Sequence, residues 1–238
     1  TGKTQLGDIA DALKKMGLAG MMSRPALMVG MAMLAAGFGF KIASVPFQMW
    51  VPDVYEGAPT PVTAFLSVAS KSAGFAVILR VFFIVFGWST DMSSSWGILF
   101  AVLSALSMTA GNIIAISQGN IKRMMGYSSI AQAGYLLVGL AAVGLAGPKE
   151  SPAISSILFF LASYTATNLA AFIAIIAISN RINSDNITDY SGMVKRAPLL
   201  ATCLALSMIS LIGLPPTAGF IAKVYIFNSA VQQGLAWL

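Results

Sequence analysis

The chain has 238 residues, of which 57% are hydrophobic and 9% carry a charge, and its mean hydropathy is +0.82. Soluble domains use charged residues at roughly 25%, so this composition excludes an ordinary water-soluble domain and predicts a polytopic membrane protein. The net charge of +6 is attributed to loop residues that orient membrane helices, and not to nucleic-acid binding.

The N-terminal segment, residues 1–24, is predicted to be a loop that contains a short amphipathic helix. Apolar residues recur at helical spacing from Leu6 to Met16, while Asp8 and Asp11 fall on the opposite face. This pattern is typical of a helix that lies in the membrane interface.

About six apolar runs are long enough to cross a bilayer, since a helical span takes about 20 residues. Because these runs do not alternate polar and apolar residues, they favour an all-α helical bundle over a β-barrel. The predicted transmembrane domain covers residues 25–238, with spans at 25–50, 62–88, 96–118, 124–145, 154–179 and 199–230. The loops after the third and fifth spans would face one side, and both carry Lys or Arg, which favours a cytoplasmic location for that side. Lys14, Lys15 and Arg24 precede the first span and would lie on the other side, where they favour the opposite orientation.

Three lysines fall inside these runs, at Lys41, Lys71 and Lys223, and none of the three runs contains Asp or Glu. A lysine at membrane depth costs about 2.5–3.5 kcal/mol on insertion scales, so it usually marks an ion or proton path. A buried ammonium group holds its proton less tightly, which suits proton exchange near neutral pH. Lys71 also stands between Ser70 and Ser72, small hydroxyl residues that can hold water. The three lysines are therefore predicted to transfer protons.

Helix-breaking residues stand beside two of the lysines. Pro46 follows Lys41, and Pro215 with Pro216 precedes Lys223. A proline removes a backbone hydrogen bond, so freed carbonyl groups would lie close to these lysines. Apolar segments that are interrupted at corresponding places in two halves indicate a transport site, whereas a kink without a charge more often serves packing. The sequence thus predicts two discontinuous helices.

Several longer motifs can be read from the chain: GFK at 39–41, WVPDVYEGAPTPV at 50–62, GNIKRMMGYSSI at 119–130, DYSG at 189–192, KRAPL at 195–199 and LPPTAGFIAK at 214–223. With these motifs the sequence resembles the antiporter-like membrane subunits of respiratory complex I. Within that family it is most similar to the branch of N subunits (subunit 2) of bacterial NADH:quinone oxidoreductase. The resemblance extends over nearly the whole chain.

The resemblance implies an antiporter-like fold of fourteen helices in two inverted repeats, of which this chain, lacking both ends, would cover the seventh to twelfth helices. Lys41, Lys71 and Lys223 would then belong to a central hydrophilic axis that transfers protons. A glutamate on the fifth helix, outside this chain, would modulate the first lysine. Gln48 and Gln132 stand where family members often carry histidine, and we expect them to line the path without titrating.

The sequence has no cysteine cluster, glycine-rich dinucleotide loop or haem signature. No cofactor or metal is therefore expected in this chain, and NADH, flavin, iron–sulfur clusters and quinone would belong to partner subunits of the complex. The resemblance implies other membrane subunits as partners, access to the quinone pool only through them, and a location in the bacterial inner (plasma) membrane. No nucleic acid is expected as a partner.

Two other functions compete with a proton-translocating subunit of a quinone-reducing NADH dehydrogenase. A cation/proton antiporter subunit of the Mrp type, or a membrane subunit of an energy-converting hydrogenase, would share the broken helices and the lysines. A structural scaffold is the third hypothesis, and it predicts that lysine substitutions disrupt assembly before activity. Asp53 and Glu56 are predicted to serve as turn or cap residues beside the neighbouring prolines.

Overall fold

A computed structural model of the chain describes residues 2–22, 25–87, 90–147 and 152–238. Within these ranges the chain forms eleven α-helices, which we number in chain order. They are α1 (Leu6–Met22), α2 (Pro25–Ile42), α3 (Trp50–Gly57), α4 (Thr60–Phe65), α5 (Lys71–Phe86), α6 (Thr90–Ile116), α7 (Ile121–Ala146), α8 (Pro152–Ile182), α9 (Met193–Arg196), α10 (Pro198–Ile212) and α11 (Ala218–Gln232). A π-helical segment (Leu66–Ser70) joins α4 to α5, and a 3₁₀ turn (Ile187–Tyr190) precedes α9.

In the described part of the chain, five helical stretches are long and apolar enough to cross a membrane. They are Pro25–Ile42, Thr60–Phe86, Ser93–Ile116, Ile121–Ala146 and Pro152–Ile182. α10 is apolar but has only 15 residues, or about 22 Å of helix, which is short of the roughly 30 Å hydrocarbon core. α11 follows after a break, so the predicted span 199–230 would need both helices.

The predicted fold class, an all-α bundle with two discontinuous helices, is confirmed. The bilayer thickness fixes the length of a span, and the long helices therefore coincide with the apolar runs of the sequence. The predicted end of the second span, Trp88, lies outside the described residues.

α7 is the central helix of the bundle, since 83% of the residues in its most apolar stretch are buried. It packs closely along α6 because glycines remove side chains from the contact: a Cβ atom on Gly144 would lie 2.5 Å from the Cα atom of Gly97. Similarly, a Cβ atom on Gly111 would lie 2.7 Å from the main-chain nitrogen of Ala131. Small residues of this kind allow membrane helices to approach closely, and α6 and α7 form one tightly packed unit.

Both discontinuous helices break at the prolines that the sequence singles out. α2 ends at Ile42, the next residue Ala43 has a positive φ of 62°, and the Val45–Pro46 bond is cis. α10 ends at Ile212, after which Gly213 has φ +88° and the Pro215–Pro216 bond is cis. α11 then restarts with Thr217 as its cap, since the Thr217 hydroxyl accepts a hydrogen bond from the main-chain N–H of Phe220.

The loops after α6 and α8 meet on one side of the bundle. The main-chain N–H of Ile121 donates to the oxygen of Asp185 at 2.9 Å, and that of Ile187 donates to the oxygen of Gly119 at 2.9 Å. The two basic loops of the sequence analysis therefore lie together, as strict alternation of the spans requires.

α1 is amphipathic, as the spacing of its apolar residues predicts. Ala10 and Leu13 are buried against the bundle, where α1 packs beside α5, while Asp8, Asp11 and Lys14 are exposed. A position in the membrane interface stays a prediction.

Candidate functional site

Lys71 is the first residue of α5 and directly follows the π-helical segment Leu66–Ser70. The wider π turn shifts the register of the side chains within one continuous span, and such single-turn segments are frequent at functional sites. Lys71 is only 3% exposed, and its ammonium donates a hydrogen bond to the main-chain oxygen of Ser129 on α7. This lysine therefore points into the bundle and is shielded from lipid.

The hydroxyl of Ser129 lies at the centre of a buried polar cluster. It shares hydrogen bonds with the hydroxyls of Tyr55 on α3, at 3.3 Å, and of Tyr164 on α8, at 3.0 Å. The Tyr164 hydroxyl also donates to the main-chain oxygen of Ser67 at 3.3 Å, and the Asn168 amide donates to the Ser67 hydroxyl at 2.6 Å. We define the Ser129 cluster as Lys71, Ser129, Tyr55, Tyr164, Ser67 and Asn168. Its hydroxyl groups can each donate and accept a proton, because each has both an O–H and lone pairs.

Lys223 lies at the second discontinuous helix, in the second turn of α11. Its ammonium donates to the main-chain oxygens of Leu211 and Ile212, each at 2.9 Å. These carbonyls end α10, where they lack helical partners and carry partial negative charge. The ammonium also lies 4.3 Å from the centre of the Tyr135 ring, a distance at which a cation is attracted to the ring face. The helix break thus supplies acceptors for a partly buried lysine.

Gly213 provides the space for the Lys223 side chain. A Cβ atom at this position would lie 2.9 Å from Cδ of Lys223, and the φ of +88° is one that residues with a side chain rarely adopt. The glycine therefore serves both the helix break and the lysine.

Gln132 links α7 to the second helix break. Its side-chain N–H donates to the main-chain oxygen of Leu211 at 2.9 Å, the same atom that accepts from Lys223. Ser129, Gln132 and Tyr135 are three residues apart along α7, so they lie on one face of the helix. Ser129, which accepts from Lys71, and Tyr135, whose ring faces the Lys223 ammonium, are six residues apart, or somewhat under two turns of α7.

A narrow cavity lies between the Ser129 cluster and Lys223. Tyr164 and Lys223 both line it, and its walls carry the side chains of Ser163, Thr167 and Ser210. It leaves about 10 Å³ for the centre of a water-sized sphere, which corresponds to about one water molecule. The buried hydroxyl of Ser163 has no hydrogen-bond partner among the described residues. The size and the polarity of the cavity suit a water molecule.

Lys41, the third predicted lysine, differs from the other two because it is exposed at the end of α2. Its side chain passes α5 one turn beyond Lys71, since a Cβ atom on Gly74 would lie 3.7 Å from Cγ of Lys41. The structure therefore places Lys41 next to the helix that carries Lys71, but outside the Ser129 cluster.

Of the two glutamines, the structure brings only Gln132 into contact with the site. Gln48 lies after the Pro46 break, and its buried side-chain oxygen has no hydrogen-bond partner in the described part of the chain. A role of either residue in lining a path stays a prediction. No group of three or more His, Cys, Asp or Glu residues that could hold a metal is found in the described ranges.

The interpretation of Asp53 and Glu56 as turn or cap residues is wrong. Neither caps α3, and both pair with the guanidinium of Arg123, at 2.7 and 2.8 Å, because they share the face of α3 that lies beside the start of α7. Lys122, which lies between the third and fourth predicted spans, is not an exposed loop charge: it is buried in the first turn of α7 and pairs with Asp185 at 3.0 Å.

Sequence reasoning also missed most of the Ser129 cluster. Tyr164 and Asn168 are four residues apart in an apolar span, which places two polar groups on one helical face. That spacing is the signal that could have identified them.

Comparison with known proteins finds a family match over the whole chain. Residues 1–238 match the family described as NADH:quinone oxidoreductase/Mrp antiporter, TM. The NADH-quinone oxidoreductase subunit N of Dehalococcoides mccartyi is 48% identical over 240 residues, which cover 100% of this chain and 49% of that relative. The chain spans about half the length of the curated relatives it matches.

Two solved structures have a similar fold. A chain of respiratory complex I from Thermus thermophilus, with bound aureothin, is 35% identical with a TM-score of 0.69, covering 85% of this chain and 42% of that chain. A chain of the Mrp complex from Dietzia sp. DQ12-45-1b is 26% identical with a TM-score of 0.84, covering 98% of this chain and 40% of that chain.

Proposed function

This chain belongs to the NADH:quinone oxidoreductase/Mrp antiporter transmembrane family, and we propose that it carries protons in the membrane part of an NADH-quinone oxidoreductase. The observation that carries the proposal is that Lys71 and Lys223 both contact α7, at Ser129 and at Tyr135, with a cavity between the Ser129 cluster and Lys223. Neither lysine makes an ion pair with a described residue. Charged side chains inside a membrane bundle are costly, and they mark ion or proton pathways.

The proton would pass between the lysines through groups that can both donate and accept. Lys71 is held at the main-chain oxygen of Ser129, and the hydroxyl of the same serine shares a hydrogen bond with the hydroxyl of Tyr164. Tyr164 faces the cavity, and a water molecule there would span the gap to Lys223. At each step one O–H or N–H bond breaks while a new one forms on the next group. A group that has accepted one proton then donates another, and so returns to its starting protonation state.

Release of the proton to Lys223 would place a charge next to carbonyl groups that are already oriented toward it. The oxygens of Leu211 and Ile212 accept from the ammonium without rearrangement, and preorganised dipoles of this kind stabilise a developing charge. Lys41, which passes α5 beside Gly74, would exchange protons with Lys71 from the other side.

The redox reaction itself belongs, in this proposal, to other subunits. NADH, flavin, iron–sulfur clusters and quinone would be bound there, and this chain would be embedded in the bacterial inner membrane among neighbouring membrane subunits. The chain would thus respond to electron transfer without holding a redox group.

A cation/proton antiporter of the Mrp type is the second candidate, because the fold is shared with a chain of an Mrp complex. The greater sequence likeness to N subunits favours the first candidate. The two differ in what drives proton movement, since an antiporter exchanges Na⁺ for H⁺ without NADH oxidation.

The distinguishing experiment uses the native complex in sealed membrane vesicles. We expect NADH oxidation to drive proton uptake that stops when quinone reduction is inhibited, with the protein co-purifying with the NADH-oxidising subunits. Na⁺-driven proton exchange of equal rate without NADH would contradict this function and support the antiporter.

A further inference from the structure

Two consecutive basic residues at the start of α7 make ion pairs that the proton route does not use. The guanidinium of Arg123 lies 2.7 Å from a carboxylate oxygen of Asp53 and 2.8 Å from one of Glu56. The ammonium of Lys122 lies 3.0 Å from the carboxylate of Asp185 and donates to the main-chain oxygen of Ala58 at 3.2 Å. Together they tie α7 to α3, to the α3–α4 junction and to the loop after α8.

α3 is the element that depends most on these contacts. It has 8 residues, and Met49 at its start makes no side-chain capping bond. A helix of this length is not stable by itself, so contacts with the rest of the protein must hold it. Its apolar face rests on α7 at Gly126, where a Cβ atom would lie 3.3 Å from Cα of Pro52.

The same short helix carries Tyr55 into the Ser129 cluster. Asp53 and Glu56 are on its exposed face, whereas Tyr55 is 2% exposed and shares a hydrogen bond with Ser129. Ser129 lies six residues after Arg123 along α7, a rise of about 9 Å. α7 therefore contacts α3 at two depths. The ion pairs of Arg123 lie at the surface, and the hydrogen bond between the Ser129 and Tyr55 hydroxyls lies in the interior.

We propose that Arg123 is a positioning residue that acts through α3, holding the Tyr55 hydroxyl against Ser129 and so fixing the geometry of the Ser129 cluster. This inference rests on the proposed function, because the cluster matters only if protons pass through it. Lys122 assists by anchoring the α3–α4 junction at Ala58, immediately before the span that carries Lys71.

The size of the effect expected on loss of the Arg123 ion pairs follows from the exposure of their side chains. The side chains of Arg123 and Asp53 are 33% and 70% exposed, and exposed ion pairs contribute little because water and salt screen them. Loss of the pair would loosen α3 without unfolding the bundle, which is held by the close packing of α6 on α7.

The test is a double-mutant cycle on NADH-driven proton uptake by the assembled complex. We expect Arg123→Ala to lower uptake by roughly two- to fivefold, the range for loss of exposed ion pairs, at an unchanged amount of complex. Arg123→Lys should retain most of the activity, since it keeps the charge. Arg196→Ala, which removes an exposed basic residue from α9, is the matched control and should behave as wild type.

The second arm of the cycle introduces Tyr55→Phe. The double variant carries Arg123→Ala and Tyr55→Phe together. If Arg123 acts through Tyr55, its proton uptake will be at least as high as that of the less active single variant. Losses that multiply, or normal uptake by Arg123→Ala, would overturn the proposal. If Arg123→Ala does not assemble, Asp53→Asn with Glu56→Gln removes the same pairs from α3 and is read in the same way.

Lys71→Met, measured in parallel, separates this inference from the proposed function. Normal uptake by Lys71→Met would refute the proton route itself. An inactive Lys71→Met together with a normal Arg123→Ala would refute only the positioning role.

Discussion

Gln132 and Lys223 donate hydrogen bonds to one and the same acceptor, the main-chain oxygen of Leu211. Leu211 stands near the end of α10, where the last carbonyl groups have no helical partner. A neutral amide from α7 and an ammonium from α11 therefore meet at the second helix break. Since the amide does not titrate, Gln132 can hold this carbonyl in place whether or not Lys223 carries its proton.

Gln132→Leu should lower NADH-driven proton uptake by roughly two- to tenfold, the factor that corresponds to the loss of one buried hydrogen bond. The apolar side chain keeps the volume but leaves the Leu211 carbonyl free to move with Lys223. Gln233→Leu, at the end of α11, is the control. Equal uptake by wild type and Gln132→Leu in assembled complex would show that the shared acceptor has no part in proton transfer.

Tyr164→Phe should reduce proton uptake by about tenfold, because it removes a single hydroxyl that bonds to both Ser129 and Ser67. The ring remains, so packing and assembly should be retained. Tyr225→Phe removes a hydroxyl from an exposed tyrosine and should leave uptake unchanged. A Tyr164→Phe complex that pumps normally would exclude this hydroxyl from the route.

The spans and their breaks could be predicted from the sequence because they depend on local properties. Bilayer thickness sets the length of an apolar run, and proline ends a helix wherever it stands, as at Pro46 and Pro215. The predicted spans 124–145 and 154–179 correspond to helices at Ile121–Ala146 and Pro152–Ile182. Each of these features depends on a single stretch of no more than 31 consecutive residues.

The Ser129 cluster could not be predicted, because its members come from five separate elements, which are α3, the π-helical segment, α5, α7 and α8. Lys71 and Ser129 are 58 residues apart, and Asn168 and Ser67 are 101 residues apart. The same reason explains the error on Asp53 and Glu56, whose partner Arg123 lies about 70 residues away. Local turn statistics had no information on that contact.

Gly213→Ala should destabilise the protein by about 1–2 kcal/mol, since a side chain at this left-handed φ is strained, and it should also displace Lys223. A lower thermal unfolding temperature and reduced proton uptake are both expected. Gly37→Ala on α2 is the matched control, because a Cβ atom there meets no atom within 4 Å. Unchanged stability and uptake in Gly213→Ala would contradict the close fit between the glycine and the lysine.

The central claim is that Lys71 and Lys223 carry protons, and it is tested most directly by NADH-driven proton uptake in sealed vesicles that contain Lys71→Met or Lys223→Met complexes. Lys195→Met, a change at an exposed lysine on α9, is the control for loss of one charge. We predict that the Lys71→Met and Lys223→Met complexes both assemble and lose proton uptake, while Lys195→Met pumps as wild type. Undiminished uptake in both variants would contradict the account, and failure of both to assemble would instead support a purely structural role for the two lysines.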